Sequence, residues 1–414
     1  MRIGFDGTCL ANRRGFGRFA RLLLEALAQA SHPHRLVVVI DRPSEPRVAI
    51  PPACDRLVVD LAEAPSSAAS ARGQRRFRDL IALGRAVARA RLDLIYFPAT
   101  YTFFPVWNVP RVVVTMHDAL AVAHPELVFP TRRGRLAWLV KELVAARTAD
   151  RIVTVSQASQ RDLQAWFRIP ERKLRVIGEG PHPIFRPAAA DPRGVEVLAN
   201  YGLPADRPYL IYVGGLSPHK NLPRLIEAVA RAAVPELRLV VVGDFHDVFH
   251  TEADVIRAAI GRNRLQDRVV LTGYVPDDDL VHLYSRSLAL VLPSLLEGFG
   301  LPAVEAMACG VPVLASRVGS LPEVVGDAGL LFDPHDPAAI AQAIGRLANS
   351  PAIRNTLATR ALARSASFSW TAAAAELLAC FDELAPPRQP RIPRRSSVRT
   401  APHPPQNSPL IPSM

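Results

Sequence analysis

The chain has 414 residues, a formal net charge of +12, 49% hydrophobic residues and four cysteines. That length exceeds one typical core and suits two domains, while Cys9, Cys54, Cys309 and Cys380 lack any metal-ligand or redox spacing, which disfavours zinc and disulfides and indicates a reducing compartment. No apolar run reaches the length of a membrane span and Met1-Arg2-Ile3 enters a strand without a leader pattern, so a cytoplasmic protein, soluble or peripheral on the inner face of the membrane, is expected; its positive charge calls for anionic partners.

In chain order, apolar strand-like runs alternate with helical patterns: Ile3–Asp6, helix Phe19–Gln29, Leu36–Ile40, a basic helix, Leu94–Phe97 and Val112–Met116. The basic helix carries Arg72, Arg75, Arg76, Arg78, Arg85 and Arg89 around Phe77, Leu80, Ile81 and Leu83, and reads either as a solvated face or as a membrane-surface helix. Helix Arg135–Ala149, strand Ile152–Val155 and helix Gln157–Phe167 follow, the last with Ser156 placed to cap it. Residues Gly178 to Ala190 are rich in Gly and Pro and mark an interdomain linker. The alternation then restarts with Tyr209–Val213, helix Leu222–Ala233 capped by Asn221, Leu239–Val242, Val269–Leu271, a helix after Pro276, Leu288–Leu292 and Val313–Ala315. This pattern predicts an α/β protein of two parallel-sheet domains facing across a cleft, with ligands beyond the carboxyl ends of the strands. Ala385 to Met414 holds five arginines, nine prolines and no acid, and is expected to be disordered.

The most informative run is Leu288 to Ser320. Glu297 and Glu305 stand eight residues apart around Gly298, Phe299 and Gly300, and Pro302 suits the first turn of a helix that Gly310 ends. A glycine loop feeding a helix start offers backbone N–H groups to phosphate, while carboxylates suit sugar hydroxyls and repel phosphate; the pair fits a ligand with sugar rings on both sides of a phosphate. In the same half, Gly214-Gly215 leads to His219, Lys220 and Asn221; the spacing fails the Walker A pattern, and Lys220 reads as a diphosphate contact. In the first half, His117-Asp118 ends a strand, where a cleft residue would lie. Gly15 and Gly17 imitate a dinucleotide fingerprint with Asp41 as its acid, but eight residues, Gly7 to Arg14, separate them from the first strand, so a glycine loop opening a helix toward the cleft fits better. Asp277-Asp278-Asp279 follows Pro276 and reads as helix capping and dipole compensation, with no metal.

Together these motifs resemble retaining glycosyltransferases of family 4, with the two-domain GT-B fold, from Arg2 to about Leu384. Glu297-Gly-Phe-Gly-Leu-Pro-Ala-Val-Glu305 matches the family's E-x7-E motif; Tyr212 to Asn221, Val242-Gly-Asp244, Leu271 to Val275 and Val153 to Ser156 support it, and Thr115 to Leu120 with His124-Pro125 is similar to mannosyltransferase-like members. The resemblance implies an acceptor-side domain 1–180, a nucleotide-sugar domain 191–367, a segment 368–384 crossing back to the first domain, and a tail 385–414. It implies a donor of GDP-mannose or UDP-hexose type, no cofactor and no metal, and a saccharide or lipid-linked acceptor; the basic helix would add peripheral contact with anionic membrane, and no nucleic acid is expected. Glu305 would hold the ribose and Glu297 the transferred sugar, with Phe299, Gly300 and Leu301 helping through backbone N–H groups. Lys220 would hold the diphosphate beside Gly215, His117 would lie against the sugar, Gly15 and Gly17 would close over the phosphates, and Tyr274 and Val275 would border the base. Whether Glu297 attacks the sugar or the acceptor attacks on the leaving-group face stays open. Two departures stand out. Gly215 occupies a position where the family often has arginine, leaving His219, Arg18 or Arg14 to compensate, and Glu179-Gly180-Pro181-His182 replaces the usual Asn-Gly-Val-Asp. Competing readings are an NAD-dependent oxidoreductase using Gly15, Gly17 and Asp41, and a nucleic-acid binder built on the basic tail.

Overall fold

The computed structural model describes residues 1–12, 15–65, 76–129, 131–244 and 252–385. Its first seven strands are β1 Arg2–Asp6, β2 Arg35–Asp41, β3 Asp55–Val59, β4 Leu94–Phe97, β5 Arg111–Thr115, β6 Arg151–Thr154 and β7 Leu174–Val176. They form one sheet in the order β3-β2-β1-β4-β5-β6-β7. The second set is β8 Tyr209–Val213, β9 Arg238–Val242, β10 Val269–Gly273, β11 Ala289–Leu292, β12 Val313–Ser316 and β13 Gly329–Phe332, ordered β10-β9-β8-β11-β12-β13. Every pairing is parallel; Ile3 in β1, for example, stands between Leu36 and Leu94. The molecule is therefore two parallel α/β layers. Central strands such as β4 and β11 are buried at every residue, as a sheet covered on both faces requires.

The strand order reverses beside β1 in the first sheet and beside β8 in the second, so the loops after β1, β8 and β11 flank the switch points where such sheets hold ligands. Three strands escaped the sequence reading: β3, β7 and β13. All are sheet edges with one fully buried residue each, too short of burial to show a continuous apolar run.

Several local expectations change on contact with the structure. The first helix runs Gly15–Gln29, opening at the glycine and not at Phe19. The helix after Asn221 covers Leu222–Arg231 and ends before Ala233, whose φ is 50°. Asn221 occupies the cap position in a left-handed conformation without capping; its Nδ2 donates instead to the carbonyls of Pro293 (2.9 Å) and Pro334 (2.8 Å), tying three loops together. Ser156 does cap Gln157–Phe167, its Oγ accepting from Ser159 N at 3.0 Å. The Gly- and Pro-rich segment 178–190 is packed: the Phe185 ring lies 5.7 Å from Tyr284, and Ala188 N donates to Ser285 Oγ.

Helix Phe77–Arg89 turns Leu83 and Val87 into the core of the first sheet with Leu80 packed beside them, and Gly84 lets the ring of Trp107 approach. Its apolar face is thus used by the fold, leaving Phe77 and Arg76, Arg78, Arg85 and Arg89 outside; Arg72 and Arg75 lie outside the described residues, as does most of the 385–414 tail. Trp370–Glu383 lies along Gly15–Gln29, with Trp370 5.6 Å from Phe19, Phe381 5.7 Å from Tyr96, and Glu383 bridging Arg151 (2.9 Å) and Arg175 (3.0 Å). Among the described residues no helix is long and apolar enough to cross a membrane.

Candidate active site

The second sheet supplies one wall of the cleft. After β11, Glu297 turns inward; its Oε1 accepts from Lys220 Nζ at 2.7 Å and from Ser294 Oγ at 2.6 Å. Lys220 arrives on the short turn Pro218–Lys220 after β8, so two residues 77 apart in sequence meet at the switch point. Burial alone would raise the Glu297 carboxyl, but the Lys220 ammonium and the hydrogen bonds from Lys220 and Ser294 outweigh it and hold the group below its ordinary range. His219 is driven to about 3 by burial and by Lys220, so its imidazole is neutral and adds no cation.

Backbone geometry fixes the rest of this loop. Gly300 has φ 95° at the mouth of helix Leu301–Ala308, a conformation that favours glycine. Ser320 Oγ is shared between the carbonyls of Glu297 (3.0 Å) and Phe299 (2.8 Å), fixing the strand-to-helix turn. Phe299 is buried, 5.7 Å edge-on from Phe368, and Leu301 is buried beside it. Glu305, one turn inside the helix, is 3% exposed and receives Tyr284 OH at 3.4 Å.

The first sheet supplies the opposite wall. His117 follows β5, and its Nε2 donates to Pro98 O at 2.9 Å, leaving Nδ1 toward the cleft; Phe16 and Phe19 pack on the ring at 4.9 and 4.6 Å. Burial lowers this histidine to about 4, so it is neutral at physiological pH. Facing Nδ1 at 3.8 Å is Glu179, whose side chain is 7% exposed. Its carboxyl makes no hydrogen bond among the described residues; burial, with Glu305 and Glu297 adding to it and Arg18 opposing, pushes it to about 8. The sequence reading gave this altered motif no ligand role, yet the fold aims it at the other cleft carboxyls.

Arg18 joins the walls. Its guanidinium forms ion pairs with Glu305 (2.9 Å) and Asp277 (2.9 Å) and lies 5.3 Å over the Phe185 ring. Asp277 therefore serves the cleft and not the helix cap expected of it: Pro276 holds the cap position and no side chain caps. Burial raises Glu305 to about 7, against the pull of Arg18. The walls also touch directly: Ser156 Oγ (2.7 Å) and Ser159 Oγ (3.0 Å) donate to Gly298 O, Glu323 accepts from Gln157 N and Ala158 N, and a Cβ on Gly298 would meet His117 O at 2.7 Å.

The other candidates fall as follows. Gly17 is buried where a Cβ would stand 1.9 Å from Asn12 O, so the close packing of that turn requires glycine there; Gly15 has open space around it, and Arg14 lies outside the described residues. Gly215 also borders open space, where a Cβ would meet nothing nearer than Ser217 Oγ at 3.8 Å, while Val275 is buried and Tyr274 half-exposed. Asp41, the acid of the dinucleotide alternative, is buried and accepts from Ser44 N at 3.0 Å within its own turn. Among the described residues no three His, Cys, Asp or Glu side chains are grouped to hold a metal ion.

Comparison with known proteins agrees with this geometry. Residues 13–181 match the family described as Glycosyltransferase Family 4, and residues 196–364 match Glycosyl transferases group 1. The O-antigen chain mannosyltransferase B of Escherichia coli is 34% identical over 272 residues, covering 65% of this chain and 69% of that protein. A D-inositol 3-phosphate glycosyltransferase of Acidothermus cellulolyticus is 34% identical over 278 residues, covering 64% of this chain and 60% of that protein. Sucrose-phosphate synthase from Thermosynechococcus elongatus superposes with a TM-score of 0.73 at 25% identity, over 92% of this chain and 98% of that one.

Proposed function

The chain belongs to glycosyltransferase family 4, with the GT-B fold, and from that membership we propose that it moves a hexose, by its likeness mannose, from a nucleotide-diphosphate sugar to a saccharide or lipid-linked acceptor in polysaccharide or glycoconjugate biosynthesis, with retained anomeric configuration. The observation that carries this reading is the Lys220–Glu297 pair at the switch point, one turn of helix away from Glu305. A diphosphate between two sugar rings needs cations in the middle and hydroxyl acceptors at both ends, and this loop has that order.

In the reaction the anomeric C–O bond breaks and the diphosphate leaves with the electron pair. Lys220 and the N-terminus of helix Leu301–Ala308 stabilise that charge without a metal. Glu297, with Oε1 already taken by Lys220 and Ser294, uses its other oxygen to orient the sugar; the acceptor oxygen attacks on the leaving-group face and its proton passes to the departing phosphate. Arg18 fills the role of the arginine absent at Gly215. Its guanidinium, paired with Glu305 at 2.9 Å, would turn to the diphosphate once the ribose hydroxyls take that carboxylate. Glu179 stays protonated, since a third carboxylate would repel the phosphates, and with neutral His117 it presents hydrogen-bonding groups without charge to the sugar.

A thermal-shift screen against GDP, UDP and ADP and their common sugars tests the donor assignment. At least one nucleotide should stabilise the wild type and lose most of that effect with Glu305→Ala. Stabilisation by none of them sinks the reading.

A further inference from the structure

Most helices here turn one apolar stripe inward and show polar residues outside. Arg132–Thr148 differs: it buries a carboxyl and leaves a stripe of apolar residues outside. Its inner side places Ala145 and Glu142 in the protein, the latter reached by Thr100 Oγ1, while Lys141 bonds the carbonyl of Tyr101 and lies 3.5 Å over the Trp138 ring. Its outer side carries Leu136 at 62%, Val140 at 51% and Val144 at 40% exposure, spaced i, i+4, i+8 on one stripe. Arg132, Arg133, Arg135 and Arg147 are exposed around them. Glu142 is the helix's single acid and is buried, so the outer face has no negative charge.

We propose that the outer face of helix Arg132–Thr148 is the surface on which this protein lies against an anionic lipid bilayer. The chemistry selects this occupant. An apolar stripe flanked by arginines suits the headgroup boundary, where the aliphatic side chains enter and the guanidinium groups meet phosphate. Each such cation near an anionic surface strengthens binding roughly fivefold. A second copy of this face would oppose arginine to arginine, and nucleic acid gives leucine and valine no apolar contact.

Position gives the surface a purpose. The short helix Leu120–Ala123 packs against Arg132–Thr148, and the next one, Pro125–Val128, contacts the Pro218–Lys220 turn that carries the cleft lysine. A bilayer under Arg132–Thr148 therefore lies one layer from the cleft mouth, where a lipid-linked acceptor would have to enter. This deepens the acceptor part of the proposed function and rests on it only for that purpose.

The full chain is tested by co-flotation with phosphatidylglycerol–phosphatidylcholine vesicles and with pure phosphatidylcholine vesicles. Wild type should float with the anionic vesicles only, and release as salt rises. Leu136→Asp with Val140→Asp should cut partitioning at least tenfold while leaving the nucleotide thermal shift intact. Replacing Arg76, Arg78, Arg85 and Arg89 by Gln in the Phe77–Arg89 helix should change it less than threefold. Equal flotation of the Asp pair, no flotation of the wild type, or a wild-type dimer in sedimentation that the Asp pair dissociates would overturn the inference. Flotation without nucleotide binding would instead break the transferase reading and leave the surface standing.

Discussion

The two walls of the cleft handle ionisable groups in opposite ways. The wall from the second sheet keeps Glu297 ionised by pairing it with Lys220 at 2.7 Å; the wall from the first sheet keeps His117 and Glu179 neutral by burying them 3.8 Å apart. Pairing preserves charge because each ion solvates the other, whereas burial without a partner removes it through the pKa. The difference teaches a division of labour. In the proposed function one wall would meet the charge of a diphosphate and the other the hydroxyls of a sugar. Each wall has its exceptions: Arg18 on the neutral wall reaches across to Glu305 and Asp277, while on the charged wall burial keeps His219 neutral and raises Glu305 to about 7.

Breaking the charged wall should cost most. Lys220→Ala removes a charged hydrogen bond of about 1.5–3 kcal/mol, so kcat/KM should fall roughly ten- to a hundredfold in a steady-state assay. It also leaves Glu297 buried without its cation, which should raise that carboxyl. A change within twofold would show that Lys220 is structural.

The next test moves charge between walls. Arg18→Ala should weaken nucleoside-diphosphate binding about tenfold in a calorimetric titration, on the scale of one charged hydrogen bond. Gly215→Arg has room for its side chain and a backbone that accepts one, so the Arg18→Ala, Gly215→Arg double variant should recover part of the loss. Failure of the second-site arginine to help would separate Arg18 from the diphosphate.

The neutral wall predicts a pH dependence with a defined sign. Glu179 is raised from its ordinary 4.5 to about 8, so the folded state binds its proton more tightly, and that stability is complete below 4.5 and lost as pH rises through 8. Glu305 and Glu142, raised to about 7 by burial, act in the same direction. His117 and His219, lowered from 6.5 to about 4 and about 3, contribute stability above 6.5 that is lost in acid. The windows overlap below 6.5, so the clean region lies between 6.5 and 8, where the Tm of the free protein should fall as pH rises. Glu179→Gln should flatten part of that fall; an unchanged slope would mean that Glu179 is ionised throughout. The smallest effect is expected from Gly298→Ala, whose methyl would press on His117 O and spread the walls, lowering kcat/KM a few-fold with little change in far-UV circular dichroism.

The sequence made the interior of both sheets legible because strands buried on both faces must be apolar throughout, as Leu94–Phe97 and Ala289–Leu292 are. Edge strands have no such constraint, which hid β3, β7 and β13. The Glu297 to Glu305 loop was readable because its glycines, proline and carboxylates lie within one short stretch. Glu179 was not: its role comes from burial against residues that are 62 positions upstream and more than 100 downstream, and no local pattern records that. The two basic helices differ in what their sequences reveal, for a related reason. Phe77–Arg89 has an amphipathic sequence because the protein itself uses its apolar face, whereas Arg132–Thr148 has apolar residues to spare and so reads as no amphipathic helix at all.

The central claim is that a nucleotide-activated sugar lies between the two walls, its ribose on Glu305. The most direct measurement is a calorimetric titration of nucleotide sugars into the wild type and into Glu305→Gln, which keeps the side chain's shape and removes its charge. One-to-one binding of at least one nucleotide sugar to the wild type is expected, with an affinity at least tenfold lower for the variant. Equal affinity for the two proteins would contradict it.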